Sequence, residues 1–218
     1  MSARILNSPG GDISLPEDVP NLSSLMMPRL RQYGERVAVI DPVRDIRLTF
    51  TQVADNVETV YWGLKKLGVK EGDVVCMFTP NCCEYYYVFY SIAMLRAKLT
   101  TANPSVTSKE LADQLQQAQA SRIIVTPQSA EKALQAIEET GLEFKDLIVV
   151  DGEMEGMTSF SRVMELGASE RKDGEKEKKE EIKDDSTWDT IFHLPFTSGT
   201  TGRSKGVKVG GVKELKLR

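Results

Sequence analysis

The 218-residue chain has one histidine, three cysteines and no apolar run near the roughly 18 residues that a bilayer-spanning helix needs. The N-terminus has no apolar stretch of the kind that marks a secretory signal. A soluble, intracellular protein without a membrane span is therefore expected, with the cytoplasm as its default location. Cys76, Cys82 and Cys83 are odd in number and lack metal-ligand spacing, and His193 alone cannot complete a Cys/His zinc set. Structural zinc, a disulfide framework and a Cys–His nucleophile pair are excluded as expectations, and no metal ligand is assigned. Basic residues are not in excess either: 28 Lys and Arg stand against 32 Asp and Glu, for a net charge of −4. A nucleic-acid partner is excluded on that ground, because phosphate counterions are displaced by a basic face.

What the chain does have is length and 40% apolar residues, enough for one large or two small globular domains. Up to about Asp45 the segment is rich in proline (Pro9, Pro16, Pro20, Pro28) and reads as an extended arm with a short helix around Leu22–Tyr33. Phe50, Val53, Val57, Val60, Tyr61, Leu64 and Leu67 then recur at helical intervals. Thr49 and Gln52 offer a capping box for that helix, and Gly68 a left-handed end. Asp73–Phe78 reads as a buried strand closed by Thr79-Pro80-Asn81, and Cys82–Arg96 as a helix buried between layers. Thr107 and Glu110 cap a helix to about Ala118. Strand Arg122–Thr126, a helix over about Ala130–Glu139 and strand Asp146–Val150 follow. Strand and helix alternate three times, which predicts an α/β fold of βαβ units around a mostly parallel sheet.

From Glu170 to Asp185, 14 of 16 residues are charged. Such a run cannot bury enough apolar area to offset its chain entropy, so a solvated linker or loop is expected there. The resulting organisation is an α/β part over residues 1–168, a linker over 169–186, and a strand with its following loop over 187–218.

The stretch with a chemical signature is Thr197-Ser198-Gly199-Thr200-Thr201-Gly202-Arg203-Ser204-Lys205-Gly206. Three glycines let main-chain N–H groups curve round an anion, four hydroxyls add donors, and Lys205 adds a mobile positive charge. Together they describe a polyphosphate cradle. It is not a Walker loop: counting from Gly199, the second required glycine falls on Ser204, and Gly206 follows Lys205. Nor is it a dinucleotide fingerprint, since Gly199 and Gly202 lack the Gly-x-Gly spacing. A plain glycine-threonine turn between strands is the competing reading of the composition.

The residue order Ser198-Gly199-Thr200-Thr201-Gly202, then Lys205-Gly206-Val207, resembles the phosphate-binding signature of the AMP-forming adenylating enzymes. That superfamily holds the acyl- and aryl-CoA ligases, luciferase-like enzymes and peptide-synthetase adenylation domains. Ser204 stands where proline is usual. Leu48-Thr49-Phe50, Leu67-Gly68-Val69, Gly72-Asp73-Val74-Val75, Pro80-Asn81, Ala102-Asn103-Pro104 and Glu110-Leu111 extend the likeness. Residues from about Ile5 to Val207 can be laid on the front part of a 4-coumarate-CoA-ligase-like or medium-chain acyl-CoA-ligase-like protein.

The resemblance implies the N-terminal part of an adenylating-enzyme large domain, with ATP, Mg2+ and coenzyme A as cofactors and a carboxylic acid as substrate. The acid would attack the α-phosphorus of ATP to give an acyl-adenylate, which the thiol of coenzyme A would convert to a thioester. By motif position, Ser198, Gly199, Thr200, Thr201, Gly202 and Lys205 would hold the β- and γ-phosphates, with Lys205 as the charge partner. The family's later parts, with the adenine and acyl pockets, the magnesium and ribose carboxylates and the small C-terminal domain, find no counterpart up to Arg218. An N-terminal fragment, inactive alone, is the expectation, whether from splicing or an incomplete gene. The alternative is a non-enzymatic module that associates with a longer ligase through its unfinished sheet. Lys216-Leu217-Arg218 is not a Ser-Lys-Leu peroxisomal address, though a longer form could carry one.

The remaining candidates are expected to be structural. Cys82-Cys83 reads as a helix start, Tyr85-Tyr86-Tyr87 with Phe89 and Tyr90 as packing of a buried helix, and His193 as a strand residue without a carboxylate partner. Glu71 and Asp73 read as surface charges beside a turn.

Overall fold

The computed structural model describes residues 21–176, 190–197 and 205–210, with side chains through Arg171 in the first stretch. Helix α1 (Leu22–Tyr33) starts where the Asn21 side chain accepts from the Ser24 amide at 2.8 Å. Strands β1 (Val37–Asp41) and β2 (Ile46–Thr49) form an antiparallel hairpin. Its turn carries Arg44, which pairs with Asp41, Glu84 and Asp151 at 2.6–2.9 Å. The hairpin was not foreseen. Its strands are short and half-exposed, so they lack the alternation that marks a strand.

Helix α2 (Phe50–Lys66) opens on the expected capping box, with Thr49 and Gln52 satisfying each other's backbone amides, an arrangement worth about 1 kcal/mol. It closes at Gly68, whose φ of +79° a side chain would resist. Strand β3 (Val74–Phe78) is buried at all five positions, and α3 (Glu84–Met94) and β4 (Lys98–Thr101) follow. Helix α4 (Ser108–Ala118) has the Thr107/Glu110 box, and β5 (Arg122–Val125) ends one residue earlier than expected. Helix α5 (Pro127–Thr140) then starts at the proline itself, because a residue without an N–H and with φ already fixed suits the first helical position. Strands β6 (Asp146–Val149) and β7 (Thr158–Ser159) lead into α6 (Phe160–Lys176).

Helix α6 crosses the boundary placed at residue 169, so the expected linker begins as helix. It lies so close on α2 that a Cβ on Gly167 would overlap the Thr59 carbonyl oxygen, and one on Gly63 the Val163 carbonyl oxygen. Arg171 continues that seam, donating to the Asp55 carbonyl and the Thr59 hydroxyl and pairing with Glu58 at 3.1 Å. The rest of the charged run, residues 177–185, lies outside the described residues.

The chain then adds β8 (Ile191–His193), β9 (Phe196–Thr197), β10 (Lys205–Gly206) and β11 (Val209–Gly210). Seven strands form one sheet in the order β11-β8-β4-β3-β5-β6-β7, parallel throughout except for β11. Alternation along the strands feeds two cores. Val75, Met77, Ile124 and Ile148 face α2, α3 and α6, while Val74, Cys76, Phe78, Ile123 and Val125 face α4 and α5. This is the expected α/β architecture, a sheet covered on both faces.

The amino ends of the central strands are closed by charge. The Arg122 guanidinium, with only 3% of its side chain exposed, pairs with Asp73 and Asp146 at 2.7 Å each and donates to the Gly68 carbonyl at 3.0 Å. Asp73 is therefore not a surface charge, which corrects the sequence reading. Burial works against its ionisation, but the Lys70 amide and then the Arg122 guanidinium hold its carboxyl below the usual range. Glu71 does sit in solvent, paired with Arg96.

Candidate functional site

The path into the phosphate-loop sequence is set by pairing. Strand β8 lies parallel to β4, and the Leu194 amide donates to the Leu99 carbonyl at 2.8 Å. Strands β9 and β10 then pair antiparallel, with Phe196 opposite Gly206 and Thr197 opposite Lys205. The Val207 amide donates to the Pro195 carbonyl at 2.8 Å, below that pair. Residues 198–204 thus connect two strands whose ends are register partners. A Cβ on Gly206 would stand 3.2 Å from the Phe196 ring, so glycine here lets the ring lie over the backbone of β10.

Of the six residues assigned to phosphate binding, Ser198, Gly199, Thr200, Thr201 and Gly202 lie outside the described residues. Lys205 is described: it is exposed on β10, opposite Thr197, whose hydroxyl donates to the Lys205 carbonyl at 3.4 Å. A solvent-facing ammonium stands at the mouth of a loop whose two ends are held together.

Beside the β9–β10 pair lies a cleft of about 750 Å³ at the carboxyl ends of β3 and β4, lined by Thr79, Asn81, Tyr85, Thr101, Asn103 and Phe196 among others. In a parallel sheet the ends of the strands, with their following loops, are where a ligand can reach backbone groups without breaking the ladder. The loop after β4 is held in shape. Asn103 Oδ1 accepts from the Ser105 amide at 2.9 Å, and Lys132 Nζ donates to the Pro104 carbonyl at 2.8 Å. Along the sequence, Pro80-Asn81 and Asn103-Pro104 belong only to a likeness and Thr79 to a turn, and nothing local brings them together at a cleft. The signal that could have found them is β4. Once Lys98–Thr101 is read as a strand parallel to β3, the loops after both fall on the same edge.

His193 lies on β8 with its ring 5.6 Å from Phe89, nearly edge-on. Burial disfavours the charged imidazolium and lowers its pKa. Its buried Nε2 has no hydrogen-bond partner among the described residues. It does not line the cleft. Cys83 is buried just before α3, and burial pushes the Cys76 thiol up to about 12. Tyr87 joins the core, Phe89 and Tyr90 pack against it, and Tyr85 is the member of that run that reaches the cleft. Among the described residues no group of three or more His, Cys, Asp or Glu side chains gathers that could hold a metal ion. Nor, among them, is any helix long and apolar enough to cross a membrane.

The fold is shared with known proteins. The chain is 31% identical over 196 residues to 4-coumarate–CoA ligase 1 of Petroselinum crispum, covering 90% of this chain and 34% of that one. It is 34% identical over 180 residues to 4-coumarate–CoA ligase 3 of Oryza sativa subsp. japonica, covering 82% and 30%. Among solved structures, the anthranilate CoA ligase AuaEII in complex with anthranoyl-AMP superposes with a TM-score of 0.75 at 24% identity, over 90% of this chain and 36% of that one. The luciferase-like enzyme of the nonluminescent Zophobas morio mealworm gives 0.75 at 20% identity, over 96% and 46%. The chain therefore spans about a third of the length of the curated relatives it matches. The family model for AMP-binding enzymes matches residues 28–210, most of the chain, and the protein belongs to that family.

Proposed function

We propose that this chain is the phosphate-binding front part of an acid–CoA ligase, with residues 198–204 and Lys205 receiving the β- and γ-phosphates of ATP. The observation that carries this reading is the pairing of Thr197 with Lys205, which brings both ends of the glycine-threonine loop together beside an open cleft. Backbone amides freed by glycine, the hydroxyls of Ser198, Thr200 and Thr201, and the Lys205 ammonium would neutralise charge on the leaving pyrophosphate. Magnesium, where bound, would add charge neutralisation on the phosphates. A carboxylic acid and coenzyme A would be the other reactants, and the cytoplasm the place of action.

The chain is expected to bind MgATP through this loop. The test is titration of MgATP into the purified chain and into its Lys205→Ala variant. Saturable binding that Lys205→Ala weakens supports the reading. Absence of binding, or binding that Lys205→Ala leaves unchanged, overturns it.

A further inference from the structure

A buried polar relay ties α4 and β4 to the chain between β8 and β9. Gln114 on α4 is buried, and its Nε2 donates to the Thr100 hydroxyl at 3.0 Å and to the Thr101 carbonyl at 2.9 Å. The Thr100 hydroxyl, on the fully buried strand residue, donates in turn to the Leu194 carbonyl at 2.8 Å. Leu194 is the residue between β8 and Pro195, three positions before Thr197. Its amide is already bonded to Leu99, so both of its backbone groups are fixed to β4 or its side chain. An amide that donates to a hydroxyl polarises that hydroxyl as a donor, so the two bonds reinforce each other in a buried setting.

The same helix supports the loop's other arm. Helix α4 packs against β10, and Leu194 and Phe196 pack against the apolar cluster that α4 shares with α5. The capping box of Thr107 and Glu110 pins the first turn of α4, one and a half turns before Gln114. Both ends of residues 198–204 therefore refer back to one rigid helix.

We propose that Gln114 and Thr100 are positioning residues: they fix the direction in which the chain leaves β8 and so hold the Thr197–Lys205 pair in place. This rests on the phosphate-binding reading for its functional consequence, but the structural tie is testable without it. Neither residue touches the phosphates; each acts through the Leu194 carbonyl.

The experiment is amide hydrogen exchange on the purified chain and on Thr100→Val, Gln114→Leu and Thr100→Ser, with MgATP affinity measured on the same samples. Valine keeps the shape of threonine and removes its hydroxyl, leucine approximates glutamine without its donors, and serine keeps the hydroxyl. Exchange at the Leu194 and Val207 amides is expected to rise about tenfold in the valine and leucine variants. The Ser121 and Val150 amides, which bond to the Val74 and Val125 carbonyls away from the relay, should keep their rates, and serine should restore the wild-type pattern. ATP affinity should fall about tenfold in the valine and leucine variants and recover in Thr100→Ser. Unchanged exchange at Leu194 and Val207, or an equal rise at all four amides, overturns the proposal. If wild-type chain binds no ATP, the phosphate-binding reading fails, while the exchange pattern still decides whether the relay holds the loop base.

Discussion

The two ends of the same parallel strands are built in opposite ways. At the amino ends, Asp73, Arg122, Asp146 and Lys145 close on one another, and the buried guanidinium is satisfied by carboxylates and carbonyls. At the carboxyl ends of β3, β4 and β8, Thr79, Asn81, Asn103 and Lys205 border open space. One end has charges that consume each other; the other has polar groups left over for a ligand. Beside them, the Ser129 hydroxyl of α5 donates to the Phe78 carbonyl of β3, and Asp151, just past β6, pairs with Arg44. The site is placed where β4 and β8 bring the loops after them beside the loop after β3.

The sharpest way to break this contrast is to open the closed end. Arg122→Met leaves Asp73 and Asp146 buried without their cation and is expected to cost about 3–5 kcal/mol, read from the denaturant midpoint. Adding Asp73→Asn to that variant should recover part of the loss, because one uncompensated carboxylate is removed. Acid should act on the same end next. Asp73 is held below the usual carboxylate range, so its contribution is fully present above the unfolded value of about 3.9 and is lost as pH falls through its lower folded value. The denaturant midpoint of the wild-type chain should drop in that window, and the midpoint of Asp73→Asn should depend less on pH there.

How much of this was legible in the sequence follows from how local each feature is. The capping boxes at Thr49/Gln52 and Thr107/Glu110 lie within four residues, and both formed as read. The buried strands β3 and β5 announced themselves as apolar runs beside turn residues. Strand β4, with the sequence Lys-Leu-Thr-Thr, carries no such signal; it is a strand because β3 on one side and β8 on the other supply partners. The Arg122 ion pairs span 24 and 49 residues, and the Thr100 bond to Leu194 spans 94, so no window along the chain contains them. Helix α6 was missed for a different reason. Charge density after Glu170 read as linker, whereas the close seat that Gly63 and Gly167 make for the two helices carries the helix into that run. The cleft beside Phe196 was not readable, because it depends on which strands are neighbours.

The open end should respond differently from the closed one. Lys205→Ala is expected to leave stability within about 0.5 kcal/mol, since the side chain is exposed, yet to lower MgATP affinity by roughly tenfold to a hundredfold, the worth of one charged hydrogen bond. Calorimetric titration beside a thermal melt reads both. The smallest effect concerns the thiols. Cys82 is half-buried at the edge of the structure, whereas Cys76 is fully buried with its thiol pushed up to about 12. An alkylating reagent at neutral pH should therefore modify Cys82 slowly and leave Cys76 untouched until the chain unfolds, as peptide mass mapping would show.

The most direct test of the contrast is a titration of MgATP into the 15N-labelled chain, followed by amide NMR. Saturable shifts at Thr197, Gly206 and the glycines of the intervening loop, with Asp73, Arg122 and Asp146 unmoved, are the predicted result. Shifts concentrated at the amino ends of the strands, or none at any nucleotide concentration, would contradict the account.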